Sequence, residues 1–197
     1  MTNFTILNEL PILDLYTEFN RLIDNDTINW FQYSDGRYVR DQICINSIKG
    51  REEDIFYGRG SLLYDWDQFY FTDKGELKAP VRTTRLRERD FTELCTQFKG
   101  TLFEETYNAL TERYTVGRIR LMNSKPKSCL TWHTDNTTRI HYPIKTQEGC
   151  FMVIADEVKY LETNIWYHTN TLSTHSAFNG SKDERLHLVV NLIDEKF

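Results

Sequence analysis

At 197 residues, 40% of them hydrophobic, the chain is long enough for one domain with a sizeable core and too apolar for disorder. Nine glycines and four prolines exclude collagen-like and low-complexity classes. The net charge of −5, from 24 basic and 29 acidic residues, argues against nucleic acid or an anionic membrane surface as a general partner.

The first ten residues carry neither a basic stretch nor a long apolar one, so no secretory signal is expected. No segment approaches the roughly 18 apolar residues of a membrane span. Cys44, Cys95, Cys129 and Cys150 are widely spaced and form no C-x-x-C pair. That spacing excludes zinc-ribbon and thioredoxin motifs and favours reduced, buried thiols over a disulfide. A cytoplasmic chain is expected.

Residues 11–24 read as a helix, with Pro11 in its first turn and Leu15, Phe19, Leu22 and Ile23 on one face. Aromatic and β-branched runs at 28–33 and 38–45, separated by Ser34-Asp35-Gly36, read as strands around a turn. The polar stretch 72–89, with Arg82, Arg85, Arg87 and Arg89, is either an exposed connection or a substrate-facing loop. Asp90-x-x-Glu93 and Thr101-x-x-Glu104 both have the form of capping boxes, which predicts two helices, or one broken at Gly100, over 90–114. After Gly117 the pattern is short strands with close turns, near 118–123, 129–135, 138–144, 149–154, 158–162, 165–168, 171–177 and 185–193. A mainly β fold with flanking helices follows, as a sandwich, barrel or jelly roll. No linker divides the chain, so 1–197 is expected to form a single domain.

All five histidines, His133, His141, His168, His175 and His187, lie in the last third. His133 and Asp135 form an H-x-D. In a strand these alternate positions share a face, so an imidazole and a carboxylate stand side by side. One further ligand from another strand would complete a facial triad for Fe(II), leaving the opposite positions open. Downstream lie His175 and the pair Arg185-x-His187, and Arg139-x-His141 repeats that pair just after the H-x-D. Polar pairs inside apolar strands need buried partners. Arginine's planar fork suits a carboxylate. Arg118 and Arg120 either face a barrel mouth, where they would meet a substrate carboxylate, or lie at the surface.

The string His133-x-Asp135, Arg139-x-His141-x-Pro143-Ile144, Gly149, Trp166, His175, Arg185-x-His187-Leu188-Val189 resembles the aspartyl/asparaginyl β-hydroxylase-like branch of the Fe(II)- and 2-oxoglutarate-dependent oxygenases, a group that includes bacterial proline hydroxylases. The resemblance covers about residues 116–194; residues 1–115 carry no motif of the group and would pack on the barrel and shape the substrate pocket. It implies a double-stranded β-helix, a cupin-like jelly roll, with Fe(II) held by His133, Asp135 and His175. Arg185 would bind the distal carboxylate of 2-oxoglutarate, with Arg139, His141 and His187 around the same co-substrate. The implied reaction uses O2 to hydroxylate a C–H bond of an amino acid, free or within a peptide or protein, while 2-oxoglutarate becomes succinate and CO2. Animal members lack the carboxylate ligand, so Asp135 aligns this chain with the proline-hydroxylase-like members and disfavours halogenation. Two other classes use the same donors: a cupin-type binding or sensor domain without turnover, and a zinc hydrolase.

Overall fold

The computed structural model describes residues 2–195. It opens with strand β1 (Phe4–Leu7), which the sequence pattern does not announce, followed by helix α1 (Leu15–Asp24). The helix starts at Leu15 rather than Pro11 because Asp14 caps it, its carboxylate accepting from the Thr17 N–H at 3.0 Å. The Pro11 carbonyl instead accepts from the Trp166 indole at 2.9 Å.

The expected strands at 28–33 and 38–45 shorten to a hairpin of β2 (Phe31–Gln32) and β3 (Tyr38–Val39), then β4 (Gln42–Cys44) and β5 (Asn46–Ser47). Gly36, at φ +87°, makes the turn. A second small hairpin, β6 (Tyr70–Phe71) with β7 (Leu77–Lys78), follows. The helix expected from Asp90 does not form. Asp90 closes a 3₁₀ turn by accepting from the Arg87 N–H at 2.8 Å, and β8 (Glu93–Leu94) pairs with β5. Phe91, Cys95 and Phe98 are buried nonetheless, so their helix-like spacing belongs to a core-packed loop. The second capping signal does start a helix, α2 (Leu102–Arg113). Thr101 Oγ1 accepts from the Phe103 N–H at 3.1 Å, and Glu104 accepts from the Gly100 N–H at 2.6 Å.

The remaining strands are β9 (Tyr114–Ser124), β10 (Ser128–Cys129), β11 (Arg139–Lys145), β12 (Cys150–Ile154), β13 (Glu157–Lys159), β14 (Trp166–Thr169), β15 (His175–Asn179) and β16 (Arg185–Glu195). The strand expected over 129–135 stops at Cys129, and the one expected over 171–177 begins only at His175. A six-stranded antiparallel sheet runs β1-β14-β11-β16-β9-β4, and a four-stranded one runs β10-β15-β12-β13. Tyr167 of the large sheet packs with Met152, Ile154 and Ala177 of the small one. The two sheets thus face each other as a double-stranded β-helix, the jelly roll expected. The N-terminal half adds β1 and β4 to the large sheet as well as packing on it.

Strand alternation gives the large sheet two unlike faces. Its outer face carries Ile119, Leu121, Ile140, Tyr142, Leu186 and Leu188, which join Leu15, Leu22, Phe103 and Leu110 of the two helices in the main core. Each large apolar side chain buried there contributes about 1.5–3 kcal/mol. The inner face carries Arg118, Arg120, Arg139, His141, Arg185 and His187, all buried. All four cysteines are free, and no helix among the described residues is long and apolar enough to cross a membrane.

Asn46 ties the segment before α2 to the barrel. Fully buried, it donates to the carbonyls of Phe91 and Gly117 at 2.7 and 2.9 Å and accepts from the Ile119 N–H at 2.7 Å. Asn46→Ala leaves three buried backbone groups unpaired, and we expect a loss of about 3 kcal/mol in urea unfolding. A loss below about 1 kcal/mol would show that the tie is dispensable.

Candidate metal centre

The H-x-D does not lie in a regular strand. Its place is fixed by a single antiparallel bridge in which the N–H groups of His133 and His175 each donate to the other's carbonyl, at 3.1 and 2.9 Å. The Asp135 N–H donates to the Thr171 carbonyl at 2.9 Å, which holds the loop against the start of β15. The two imidazole rings come to 4.2 Å between centroids, and Asp135 Oδ2 lies 3.5 Å from His175 Nε2. One donor atom from each of the three residues falls within 4.8 Å of the others.

The hydrogen bonds of the rings place the hydrogen on Nδ1. His133 Nδ1 lies 2.7 Å from the Thr131 carbonyl, and His175 Nδ1 lies 3.0 Å from the Ser173 carbonyl. A carbonyl only accepts, so each Nδ1 carries a hydrogen, and the neutral ring then offers Nε2 as its ligand atom. Backbone carbonyls orient metal-binding histidines in this way. Two imidazole nitrogens and one carboxylate, so oriented, fit a mononuclear divalent transition metal with positions left open. Burial lowers the pKa of His175, against the bond to Ser173 that raises it, which favours the neutral, ligating form.

The other residues singled out in the sequence form a second group. Arg139 reaches back to Asp135, Nη2 to Oδ1 at 3.1 Å, and also donates to Thr137 Oγ1. It therefore orients the carboxylate of the triad. Inside the barrel, Arg185 Nη2 donates to His187 Nδ1 at 3.1 Å. The ring of His187 meets His141 edge-on at 5.9 Å. His141 Nδ1, His187 Nε2 and both polar atoms of the Asn191 side chain are buried with no partner among the described residues. Burial lowers the pKa of Arg185 to about 10, so it stays a cation at neutral pH. A buried cation beside unpaired donors fits a small acid.

A cavity of about 1010 Å3 opens beside the triad. His133, Asp135 and Arg139 line it, whereas His141, His175, Arg185 and His187 do not. Arg85, Arg87 and Arg89 also line it, so the polar stretch before Asp90 faces this cavity. Arg118 and Arg120 face it too, with different partners. Arg118 is paired with Glu88 at 2.9 Å and donates to the carbonyls of Gly58 and Gly60. Among the described residues Arg120 has only the side-chain oxygen of Gln42, at 2.9 Å. Sequence reasoning missed Gln42, at the start of β4, and Arg59, Trp66 and Phe69, which line the cavity from a stretch that follows no strand or helix period.

A jelly roll with two histidines and a carboxylate converging inside one end defines the class: a cupin-type fold with a mononuclear metal-type donor set. Residues 14–195 match the aspartyl/asparaginyl beta-hydroxylase family, and the chain belongs to that family. No match is found among the curated proteins. Among solved structures, similarity extends to AviO1 from Streptomyces viridochromogenes Tue57, at 12% identity and TM-score 0.46 over 98% of this chain and 90% of that one. A 2OG-Fe(II) oxygenase family oxidoreductase from Burkholderia pseudomallei aligns at 15% identity and TM-score 0.37, over 46% of this chain and 47% of that one. A cupin domain from Bordetella pertussis Tohama I aligns at 14% and TM-score 0.34, over 38% and 79%.

His141 and His187 have pKa values well below 6.5, first because they are buried and then because Arg185 lies close to both. The unfolded chain protonates them near pH 6.5 and the folded chain does not. Below that pH the unfolded state therefore binds more protons, and each such histidine removes about 1.4 kcal/mol of stability per pH unit. Urea unfolding of the metal-free protein at pH 7 and pH 5 should show this loss, and His187→Gln should reduce it by about 2 kcal/mol. An unchanged pH dependence in the variant would mean that His187 is protonated when folded.

Proposed function

We propose that the protein is an Fe(II)- and 2-oxoglutarate-dependent dioxygenase that hydroxylates a C–H bond of an amino acid, free or within a peptide or protein. The observation that carries this reading is the convergence of His133, Asp135 and His175, with both Nδ1 atoms tied to backbone carbonyls. Membership of a hydroxylase family supports the same reaction class.

In this reading His133 Nε2, Asp135 and His175 Nε2 hold the iron. When bound, iron with O2 and 2-oxoglutarate supplies the oxidising power, yielding succinate, CO2 and the hydroxylated product. The chain's own groups bind, orient and exclude water. Arg139 holds one oxygen of Asp135 at 3.1 Å and leaves the other directed toward His175. Arg185 is the binding group for the distal carboxylate of 2-oxoglutarate. His187 accepts from Arg185 through Nδ1, so its Nε2 carries a hydrogen and is a second donor to that acid. His141 and Asn191 offer further unpaired polar atoms along the same inner face. Leu186 and Leu188, on the opposite face of β16, pack in the main core and hold the strand rigid. We assign the protein to the cytoplasm.

Fe(II) and 2-oxoglutarate added without oxygen should give a weak visible charge-transfer band, and oxygen should then release succinate. Absence of both with iron-loaded protein would overturn the reading in favour of a binding domain. His175→Ala should abolish iron binding and turnover. Arg185→Ala should raise the 2-oxoglutarate requirement at least about ten-fold, the loss of one charged hydrogen-bond pair, with iron binding retained. Equal loss of iron in both variants would refute this division of roles.

A further inference from the structure

The cavity beside the triad is unevenly neutralised. Asp41, Glu88 and Asp135 line it, and each is taken by an arginine: Arg59 at 3.0 Å, Arg118 at 2.9 Å and Arg139 at 3.1 Å. Of the buried arginines of this cavity Arg120 is left over; Arg85, Arg87 and Arg89 also line it without an ion pair among the described residues, but they are exposed to water. Arg120 is only 7% exposed, forms no ion pair among the described residues, and has its Nε buried without a partner. Its one hydrogen bond goes to the neutral Gln42. Burial, and then the neighbouring Arg118, lower its pKa to about 9 against the opposing charge of Glu88, so at neutral pH it remains a buried cation whose nearest carboxylate is already paired with Arg118. Such a group is costly unless a ligand supplies the missing negative charge.

The wall facing Arg120 is of the opposite character. Leu63, Phe69 and Leu130 line the cavity and are 62%, 42% and 43% exposed. Trp66 stands beside Phe69 at 5.1 Å between ring centroids. This wall is fixed. Arg59 holds Asp67 of the same turn at 2.6 Å, and Arg82 donates to the Tyr64 carbonyl at 2.9 Å. Trp66 packs so closely on Gly60 that a Cβ there would lie 2.5 Å from the ring. Water-exposed apolar side chains beside a buried cation make an amphipathic pocket. Its size is at the upper end of the roughly 300–1,000 Å3 of cavities that enclose drug-sized ligands.

From these features we infer that the substrate is an amphipathic carboxylate: its acid group pairs with Arg120 and its apolar chain or ring system lies along Leu63, Trp66 and Phe69. This rests on the oxygenase reading for the reaction at the neighbouring triad, and it names the kind of molecule that site takes. Arg120 and Gln42 read the acid end, while the segment carrying Trp66 sets the size of the apolar end. A free amino acid with a small side chain would leave that wall in water.

Calorimetric titration with octanoate, octanamide and acetate tests the inference without turnover. Octanoate should bind at least ten-fold more tightly than the other two. Arg120→Gln should erase its advantage over octanamide, and Arg120→Lys should keep part of it. Trp66→Ala should weaken octanoate while leaving acetate unchanged. Equal affinity for octanoate and octanamide, or an advantage that survives Arg120→Gln, would overturn the inference. So would a loss of 2-oxoglutarate affinity in Arg120→Gln with octanoate binding intact, because the arginine would then serve the co-substrate. The two readings fail differently: carboxylate preference without the Fe(II)–2-oxoglutarate band refutes only the oxygenase, and the band without the preference refutes only the substrate class.

Discussion

Everything in this molecule depends on the two unlike faces of β9, β11 and β16. Over 118–121, 139–142 and 185–188 alternate residues are apolar and alternate residues are cationic or imidazole, and both sets are buried. A β-strand sends successive side chains to opposite faces, so one set must leave the barrel if the other fills it. The apolar set went outward, against α1 and α2. The barrel interior was thereby left to groups that do not pack as a hydrocarbon core and that need partners of opposite charge or polarity.

How those partners are supplied explains the site. Burying an unpaired ion costs several kcal/mol, and the chain offsets part of that cost with its own carboxylates. Glu88 reaches in from the segment before β8 to meet Arg118, and Asp135 meets Arg139. Asp135 is thus shared between an arginine that fixes it and a histidine that stands beside it. The remaining interior groups, Arg120, Arg185, His141, His187 and Asn191, have no such carboxylate among the described residues. Their needs are acidic, and two of them, Arg120 and Arg185, belong to different places: one lines the open cavity, and the other lies behind it. That separation fits two distinct anions, co-substrate and substrate.

The residues that define this chemistry were legible in the sequence because strand alternation is strict. The R-x-H spacing on β16 suffices to put Arg185 beside His187. The jelly roll was legible for the same reason, from short strands in close succession. The H-x-D comes together with His175 for a different cause than strand alternation. The strand ends at Cys129, and the pair is held by a single bridge to His175 and by Thr171. The failures share one origin. Phe91, Cys95 and Phe98 are spaced like a helix face, yet the loop that carries them is shaped by contacts distant in sequence, such as the Asn46 amide on the Phe91 carbonyl. Strand β1 is visible only through its partner β14.

The same distance dependence hides the cavity wall. Trp66 and Phe69 sit on a turn with no periodicity, and what places them is a set of ion pairs that no local pattern announces: Arg59 with Asp41 and Asp67, and Arg118 with Glu88. Exposed ion pairs contribute little, but Arg59 and Arg118 are largely buried and each also orders backbone. Arg118 donates to the carbonyls of Gly58 and Gly60, and the carbonyl of Arg59 accepts from Arg82. Cations of the barrel and of the 59–82 segment therefore clamp the histidine-free half of the chain over the open end of the triad. The metal-type donors lie on the jelly roll and the apolar wall lies on loops fastened to it. A change at Leu63, Trp66 or Phe69 can then alter what enters while His133, Asp135 and His175 keep their geometry, because none of these three takes part in the bridge between His133 and His175.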